Sequence, residues 1–215
     1  MDEFKALREQ MVVNQVERRG VKDSRVLKAM REVPRQIFVP LESRDFAYAD
    51  NPIQIGLGQT ISQPYIVGLM TELLRVGSGD KVLEVGTGSG YQAAVLGELA
   101  AEVHTVERYS ELALSAEARL SGLGYTNIHV HTGDGSLGYP PAAPYDRIIV
   151  TAASPSVPPA LKEQLADGGR LVIPVGNRYS SQVLEIHDRR GEAFSVLKHI
   201  SVVFVPLIGE EGWEE

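Results

Sequence analysis

The fold is decided by one stretch of sequence, KVLEVGTGSGYQAAVLGEL, at residues 81–99. A β-branched run ends directly in three glycines, Gly86, Gly88 and Gly90, and an Ala- and Leu-rich run follows them. This order predicts a strand, a tight loop and a helix, a unit that lets the backbone approach a ligand closely. We expect the loop to bind a nucleotide-like cofactor.

The spacing of the three glycines and two nearby acidic residues indicate the class of cofactor. The glycines follow G-x-G-x-G, whereas a dinucleotide site favours G-x-G-x-x-G. Glu84, just before the loop, would repel a pyrophosphate but suits a ligand that carries ammonium and sulfonium charges. Glu107 ends the next predicted strand, where a carboxylate can accept both hydroxyls of a ribose. We therefore predict S-adenosylmethionine rather than NAD; the alternative is a tight left-handed turn without a ligand.

A second glycine-containing turn follows a later predicted strand. Asp134 and Gly135 lie in HTGDGS, at the edge where open α/β sheets bind ligands. The pair fits a carboxylate that contacts adenine, with a glycine that leaves room for the base. An ordinary Asp-Gly turn explains the same residues.

The composition excludes several kinds of site. The chain has 215 residues and no cysteine, which excludes disulfides, thiolate metal sites, iron–sulfur clusters and cysteine nucleophiles. Lysine and arginine number 21 against 28 aspartates and glutamates, for a formal net charge of −7. The basic residues are dispersed, and no run approaches the roughly 20 apolar residues of a membrane span. We expect a cytoplasmic monomer that binds neither nucleic acid nor membranes.

Strand and helix patterns alternate through the middle of the chain. They predict strands at 81–85, 102–106, 128–131, 146–151 and 170–175, with helices at 90–99, 110–121 and 158–166. Two β-rich runs follow, 182–187 and 194–207, separated by a predicted turn at 188–191. The predicted fold is α/β, a doubly wound, Rossmann-like methyltransferase sheet, mostly parallel with a C-terminal antiparallel hairpin and N-terminal helical additions.

The N-terminal third contains helices and an irregular segment. Helices are predicted at 4–19, at 24–32 with Ser24 as N-cap, and at 65–74. Residues 38–64 combine prolines and glycines with many apolar side chains, which favours an ordered functional loop over disorder. We predict a single domain over 1–215, with the helices and substrate loop in 1–75 and the cofactor-binding core in 76–215. The tail GEEGWEE is expected to be loosely held.

The sequence leaves the roles of two groups of polar residues undecided. Thr60 and Ser62 lie in GQTISQP before a predicted helix, and Ser62 is either the N-cap of that helix or a ligand contact. No G-x-S-x-G elbow marks a hydrolase nucleophile. His129 and His131 share one face of a predicted strand, but no third ligand is identified, and we expect no metal.

Seven motifs occur in order across nearly the whole chain. They are VPRQIFVP (33–40), YADNPIQIGLGQTISQPYIV (48–67), VLEVGTGSGYQAAVL (82–96), GDG (133–135), YDRIIVTAA (145–153), LADGGRLVIPVG (165–176) and FVPLIG (204–209). By these motifs the chain resembles the protein-L-isoaspartate O-methyltransferases of bacterial or archaeal type, and the GQTISQP segment is the most specific of them. Gly68, where the family often has alanine, and Ile208, where some members have threonine, depart from the pattern.

The resemblance implies a substrate and an active-site residue. The substrate is an L-isoaspartyl residue in a damaged protein or peptide, whose free α-carboxylate is methylated by S-adenosylmethionine. The methyl ester then collapses to a succinimide without the enzyme. Ser62 matches the active-site serine of the family, and Thr60 and Ile61 share its loop.

Motifs and resemblance together give two sets of expected contacts. The expected cofactor contacts are Thr60, Ile61, Ser62, Glu84, Gly86, Gly88, Ser89, Gly90, Tyr91, Glu107, Asp134 and Gly135. The expected substrate contacts are Ile55, Leu57, Thr60, Ser62, Val205, Pro206 and Leu207. Core packing is the alternative role for the apolar members of the second set.

The expected chemistry depends on positioning and needs no base. A carboxylate with a reference pKa of about 3.5 is ionised at neutral pH, so no histidine constellation is required. Ser62 can donate one hydrogen bond and hold the carboxylate in line with the methyl group. Two alternatives stay open: a methyltransferase with a small-molecule or RNA acceptor, and a non-catalytic cofactor-binding module. The acidic net charge argues against RNA.

Overall fold

A central sheet of seven strands organises the structure, a computed structural model that describes residues 4–178 and 180–215. The strands are β1 Ile53–Gly56, β2 Gln59–Ile61, β3 Lys81–Val85, β4 Glu102–Glu107, β5 Ile128–Thr132, β6 Tyr145–Val150, β7 Leu165–Gly176, β8 Gln182–Arg190 and β9 Ala193–Val202. The helices are α1 Lys5–Met11, α2 Ser24–Glu32, α3 Pro64–Leu74, α4 Tyr91–Gly97, α5 Ser110–Gly122 and α6 Pro159–Gln164. β1 and β2 form a separate hairpin, and the central sheet has the order β5-β4-β3-β6-β7-β8-β9.

The sheet is parallel at its centre and antiparallel at one edge. β3 pairs in parallel with β4 and β6, and β5 and β7 extend the parallel ladder on either side. β8 and β9 add an antiparallel hairpin. The predicted fold class is therefore confirmed. Because β3, β4, β5 and β6 run in the same direction, their carboxyl ends meet at one edge, where such sheets bind ligands.

The C-terminal hairpin turns later than the sequence indicated. Arg190 pairs with Ala193, so β8 continues through residues 188–190 of the predicted turn and the chain reverses at 191–192. Arg170 of β7 stabilises this extension through two hydrogen bonds to the Asp188 carboxylate, at 2.6 and 2.8 Å. The same guanidinium holds the pKa of Asp188 below its usual range. β9 ends at Val202, and the chain beyond it forms a parallel bridge to Ala153 at Pro206 instead of continuing as a strand.

The first two helices differ from the predicted ones in their details. The predicted helix at 4–19 changes its hydrogen-bond pattern along its length, from α1 to a π-helical turn, Val12–Val16, and then a 3₁₀ turn, Glu17–Arg19. The predicted N-cap at Ser24 was wrong, because Asp23 occupies that position and accepts a hydrogen bond from the Arg25 backbone at 2.8 Å. Glu72 of α3 adds a tertiary cap by accepting from the backbone N–H groups of Lys22 and Asp23.

Gly68 marks a close contact between α3 and the π-helical turn. A Cβ added at Gly68 would lie 2.6 Å from Val16 Cγ1 and 3.1 Å from Met30 Sδ. Both neighbours are fully buried, so neither can move into solvent. The glycine that departs from the resembled pattern therefore makes room for Val16.

Gly68→Ala is expected to lower the free energy of unfolding by about 1–3 kcal/mol, because an overfilled core has to shift. Gly122→Ala is the matched control, since it also changes a helical glycine but a Cβ there meets nothing within 4 Å. That control is expected to gain roughly 0.5–1 kcal/mol. Val16→Ala combined with Gly68→Ala should recover part of the loss. Urea unfolding measures all of these values, and a Gly68→Ala protein as stable as the unmodified chain would contradict the packing argument.

One hydrophobic cluster extends from the N-terminal helices into the sheet. Met30 and Val67 are buried in the same cluster as Val82 of β3 and Ala94 of α4. Leu83, next to Val82 in sequence, belongs to a second cluster on the opposite sheet face. This continuity supports the predicted single domain. Among the described helices, none is long and apolar enough to cross a membrane.

One segment contains more regular structure, and another more hydrogen bonds, than the sequence indicated. The segment predicted as irregular contains 3₁₀ turns at Arg35–Phe38 and Leu41–Phe46, followed by the β1–β2 hairpin. The expectation of a loosely held tail was wrong. Trp213 donates a backbone hydrogen bond to the Leu207 carbonyl at 2.7 Å, and the Glu210 backbone donates to Asp134 Oδ2 at 2.7 Å.

Candidate active site

The glycine loop lies between β3 and α4 and depends on backbone that other residues rarely adopt. Gly86, Gly88 and Gly90 have φ values of +97°, +52° and +90°. A Cβ at Gly86 would lie 2.5 Å from Thr151 Oγ1. The Thr151 hydroxyl, directly after β6, lies 2.7 Å from the Gly86 carbonyl and 3.0 Å from the Val85 carbonyl and donates to them. The end of β6 therefore fixes the start of the loop.

Glu107 lies beside the loop, at the end of β4. Its Oε2 accepts a hydrogen bond from Gly88 N at 2.8 Å, and its Oε1 accepts one from Tyr109 N at 3.1 Å. Each carboxylate oxygen can accept more than one hydrogen bond. The side chain is therefore oriented by the backbone and still has acceptor capacity for a diol.

Glu84 is in a different environment, although it precedes the same loop. Its side chain is fully buried, its Oε2 accepts from Thr105 Oγ1 at 2.6 Å, and its Oε1 has no partner among the described residues. Burial raises the pKa of Glu84 to about 8, the nearby Glu107 adds to the rise, and the Thr105 hydroxyl opposes it. Glu84 is therefore mostly neutral at pH 7, and the electrostatic attraction expected from its charge is not available there.

Asp134 is occupied by protein contacts. Its Oδ1 accepts from the backbone and hydroxyl of Ser136 at 2.9 and 2.7 Å, as a cap for the 3₁₀ turn Gly135–Leu137. Its Oδ2 accepts from the Glu210 backbone. The Asp-Gly turn considered from the sequence is therefore present, and Asp134 also anchors the C-terminal tail.

Ser62 lies between β2 and α3 and does not cap the helix. The N-cap position belongs to Gln63, whose carbonyl accepts from Ile66 and Val67, at 3.0 and 3.2 Å. Within residues 4–178 and 180–215, no hydrogen bond engages the hydroxyl of Ser62 or of Thr60. The capping alternative for Ser62 is therefore wrong, and both hydroxyls are available to ligands.

Three connected spaces surround these residues. The outer groove, of about 440 Å³, is lined among others by Arg19, Tyr65, Ile200 and Val203. The Ser89 cavity lies over the start of α4, and the Glu107 cavity lies on the other side of the glycine loop. Thr60 and Thr151 line all three spaces. Ser62 lines both the outer groove and the Ser89 cavity, so this residue lies where the two spaces adjoin.

Most of the expected contacts line one of these spaces. The Ser89 cavity contains Thr60, Ile61, Ser62, Gly86, Gly88, Ser89 and Tyr91. The Glu107 cavity contains Thr60, Gly86, Gly88, Glu107, Gly135, Val205, Pro206 and Leu207. Val205 also lines the outer groove. Pro206 and Leu207, expected as substrate contacts, thus lie on the side of Glu107 rather than in the groove.

Five expected residues line neither the groove nor the two cavities in the described part of the chain: Ile55, Leu57, Glu84, Gly90 and Asp134. Leu57 stands at the tip of the β1–β2 hairpin with φ +51°, largely exposed. Ile55 covers the loop instead, since its Cδ1 is 3.3 Å from the position of a Cβ on Gly88. Gly90 faces α5, where a Cβ would lie 3.3 Å from that of Ala116.

The two small cavities flank the glycine loop and present the kinds of group that an elongated, nucleotide-like cofactor would contact. On one side lie the two oriented oxygens of Glu107, and on the other lie the free hydroxyls of Thr60 and Ser62. Gly135 closes the first side, where a Cβ would come within 2.6 Å of Val85 Cγ1. The residue types present therefore suit a ribose on the Glu107 side and a polar group on the Ser89 side.

Thr151 is a site residue that was absent from the expected contacts. It orients the glycine loop and borders all three spaces. Its position directly after a central parallel strand was the available signal, because such positions face the ligand edge of the sheet. The sequence alone does not show which partner its hydroxyl selects.

A histidine cluster lies on one face of β4 and β5. His104 Nδ1 is 3.0 Å from His131 Nε2, and the His104 and His129 rings have centroids 5.0 Å apart. Tyr139 stacks on His131 with centroids 3.7 Å apart. Among the described residues, no group of three potential ligands is arranged to hold a metal ion. Burial lowers the pKa of His131 to about 4, and neighbouring histidine charges add to this; the pKa of His104 is also lowered, chiefly by burial.

This cluster predicts a loss of stability in mild acid. The folded-state pKa of His131 lies below the unfolded value, so its neutral form is favoured by folding, and stability declines as pH falls from about 6.5 towards 4. Glu102, Lys81 and Tyr145 also face the cluster. His131→Gln is expected to make the decline shallower in urea titrations at a series of pH values. His199→Gln, at an exposed position on β9, should keep the original slope, and equal slopes for both variants would contradict the prediction.

The order of the strands, the glycine loop and Glu107 at the end of β4 place the protein in the class of α/β methyltransferases. A family model described as Protein-L-isoaspartate(D-aspartate) O-methyltransferase matches residues 7–212. The chain belongs to this family. The predicted family and enzyme class are therefore confirmed.

Individual relatives agree with the family match. The chain is 53% identical to Protein-L-isoaspartate O-methyltransferase 1 of Rhodopseudomonas palustris (strain HaA2), over 98% of this chain and 86% of that one. It is 54% identical to the protein of that family name from Methanoculleus marisnigri, over 96% and 94%.

Solved structures agree with the fold. A protein-L-isoaspartate O-methyltransferase structure superposes with a TM-score of 0.84 at 28% identity, covering 95% of this chain and 67% of that one. A Plasmodium falciparum structure of the same family name, in complex with S-adenosyl-L-homocysteine, has a TM-score of 0.81 at 24% identity, over 94% and 98%.

Proposed function

We propose that this chain transfers the methyl group of S-adenosylmethionine to the free α-carboxylate of L-isoaspartyl residues in proteins and peptides. The observation that carries the proposal is the position of Ser62, which lines both the outer groove and the Ser89 cavity and whose hydroxyl has no hydrogen bond among the described residues. A carboxylate held there from the groove side would meet a methyl group presented from the cavity side. Membership of the family supports this substrate class and this methyl donor.

The residues would hold the cofactor across the glycine loop. Glu107 would accept the ribose hydroxyls, because both of its oxygens are oriented by backbone N–H groups and keep acceptor capacity. Ser89 and Gly88 would border the amino-acid end. The cofactor, when bound, supplies an electrophilic methyl group on a positively charged sulfur.

The chain's own part in the reaction is positioning. The substrate carboxylate is ionised at neutral pH, so no residue has to remove a proton from it. Ser62 would donate a hydrogen bond to one carboxylate oxygen, leaving the other to form the bond to the methyl carbon as the carbon–sulfur bond breaks. Thr60 and Thr151 would complete the wall between groove and cavity. Exclusion of water from this junction strengthens each of these contacts.

The outer groove suits an extended peptide. Its walls combine apolar residues such as Ile200 and Val203 with a polar rim. At that rim the Arg19 guanidinium lies 3.6 Å from the Tyr65 ring centroid, and its Nη1 pairs with Asp50 at 2.9 Å. A groove of about 440 Å³ has room for the backbone and side chains around one modified residue.

The test compares two peptides that differ only in the linkage of one aspartate. With radiolabelled S-adenosylmethionine, the isoaspartyl peptide is expected to be labelled and its normal aspartyl twin left unlabelled. Equal labelling of both would contradict the proposed specificity. If neither peptide is labelled but the cofactor still binds, the result would favour a non-catalytic cofactor-binding module. Labelling of a small molecule or of RNA would favour a methyltransferase with that acceptor.

We further propose that the chain acts as a cytoplasmic monomer and binds neither nucleic acid nor membranes. The cysteine-free composition and the dispersed basic residues support this. Light scattering is expected to give the mass of one chain, and a doubled mass would contradict the monomer.

A further inference from the structure

Arg35 is a fully buried arginine close to the site, and the mechanism above does not use it. It follows Pro34, at the start of the 3₁₀ turn Arg35–Phe38. In the described residues no carboxylate oxygen lies within the 4.0 Å of an ion pair from its guanidinium. Asp50 attracts the guanidinium without forming an ion pair with it. A cation buried with no direct ion pair is costly, and hydrogen bonds to backbone carbonyls offset part of that cost.

The guanidinium connects three segments that have to be in register for methyl transfer. Its Nη2 donates to the Ser62 carbonyl at 2.8 Å, and its Nε donates to the Ala47 carbonyl at 2.7 Å. Its central carbon lies 4.8 Å from the ring centroid of Tyr91, the first residue of α4. One rigid group therefore spans the substrate loop, the segment before the β1–β2 hairpin and the helix that follows the glycine loop.

The Ser62 carbonyl is available for this contact because α3 does not use it. The helical hydrogen bonds of α3 begin at the Gln63 carbonyl. The Ser62 carbonyl is instead held by the hydrogen bond from Arg35, and this bond helps to fix the backbone that carries the Ser62 hydroxyl. Transfer along a line of three atoms tolerates little displacement, and an error of about 1 Å can cost 10²-fold in rate.

We infer that Arg35 is a positioning residue for methyl transfer, which sets the Ser62 hydroxyl against the cofactor helix through the Ser62 carbonyl. This inference rests on the proposed function, since it assigns Ser62 the substrate carboxylate. Arg35 lines neither the groove nor the two cavities, so we expect its effect on the reacting groups to pass through Ser62. Lysine at position 35 would keep the charge but would lose the planar fork that reaches two carbonyls.

The test is a double-mutant cycle with Arg35→Lys, Ser62→Ala and their combination. Arg35→Lys is expected to lower kcat for an isoaspartyl peptide by about tenfold, the weight of one such hydrogen bond. Its Kd for S-adenosylhomocysteine should stay within threefold of the original. In the Ser62→Ala background the same change should alter kcat by less than twofold, because the group on which Arg35 acts is already gone.

Arg8→Lys is the matched control. Arg8 is also buried and donates to a backbone carbonyl, that of Arg31, but lies in α1 and lines neither the groove nor the cavities. The Arg8→Lys variant is expected to have a kcat within twofold of that of the unmodified chain.

Four results would overturn the inference. The first is that Arg35→Lys lowers kcat as much in the Ser62→Ala background as in the unmodified chain. The second is that Arg35→Lys lowers kcat no more than Arg8→Lys does. The third is failure of both Arg35→Lys and Arg35→Gln to bind S-adenosylhomocysteine, which would leave Arg35 a role in folding alone. The fourth is an unmodified chain that binds S-adenosylhomocysteine but does not methylate the isoaspartyl peptide, which would remove the proposed function as well. In the first three the unmodified chain stays active, so failure of the inference and failure of the function are distinguishable.

Discussion

Ser62→Ala is expected to reduce kcat for methylation of an isoaspartyl peptide by roughly 10²-fold, the cost of misorienting a reacting group. The reason is that Ser62 carries an unbonded hydroxyl at the junction of the outer groove and the Ser89 cavity. Removal of that hydroxyl leaves the carboxylate without its directing hydrogen bond. The Kd for S-adenosylhomocysteine should change by less than threefold, since the Glu107 cavity is untouched. Initial-rate kinetics and calorimetric titration measure the two quantities separately.

The control for this change is Ser121→Ala, which removes a hydroxyl from an exposed position on α5 and is expected to have no effect on rate. Unaltered turnover by Ser62→Ala would refute the role of the hydroxyl. A parallel loss of cofactor binding would instead assign Ser62 to the cofactor alone.

Glu107→Gln is expected to weaken binding of S-adenosylhomocysteine by about 10–100-fold, the usual weight of hydrogen bonds to a charged acceptor. The amide has only one acceptor atom, so it cannot serve Gly88 N, Tyr109 N and a ribose diol together. The loop backbone should also lose its fixed position beside the carboxylate. Calorimetric titration at pH 7 measures the affinity directly.

Glu84→Gln is the matched control, because it makes the same chemical change at the other end of the same loop. Glu84 is fully buried, and burial raises its pKa to about 8, so glutamine resembles its neutral form at pH 7. Its affinity for S-adenosylhomocysteine is expected to stay within threefold at that pH. If the two substitutions weakened binding equally, the distinction between the two acids would be wrong.

The cofactor half of the site was predictable because its signal is local. Strand β3, the glycine loop and α4 follow one another directly, and parallel alternation brings Glu107 to the same edge. Hydrophobic periodicity and glycine spacing carry that information without knowledge of distant contacts. The hairpin of β8 and β9 was predictable for the same reason, although Arg170 pairs with Asp188 and shifts its turn.

The remaining parts depend on contacts between distant residues. Thr151 meets the Gly86 carbonyl across 65 positions of sequence, and the Glu210 backbone meets Asp134 across 76. No local pattern specifies such partners, so the tail was expected to be loose, and Thr151, although at the predicted ligand edge of the sheet, was not among the named contacts. The ambiguity of Ser62 had the same origin, since its exclusion as N-cap depends on which carbonyl the first turn of α3 uses.

The contact between Gly68 and Val16 constrains the order in which sequence changes can accumulate. With Val16 present, a methyl group at position 68 meets an occupied space 2.6 Å away. A change from glycine to alanine at position 68 is expected to cost less when position 16 already carries a smaller residue, and valine at position 16 is expected to cost less when position 68 already carries glycine. The effects of changes at the two positions are therefore expected to be non-additive, so that the effect of either change depends on whether the other is already present.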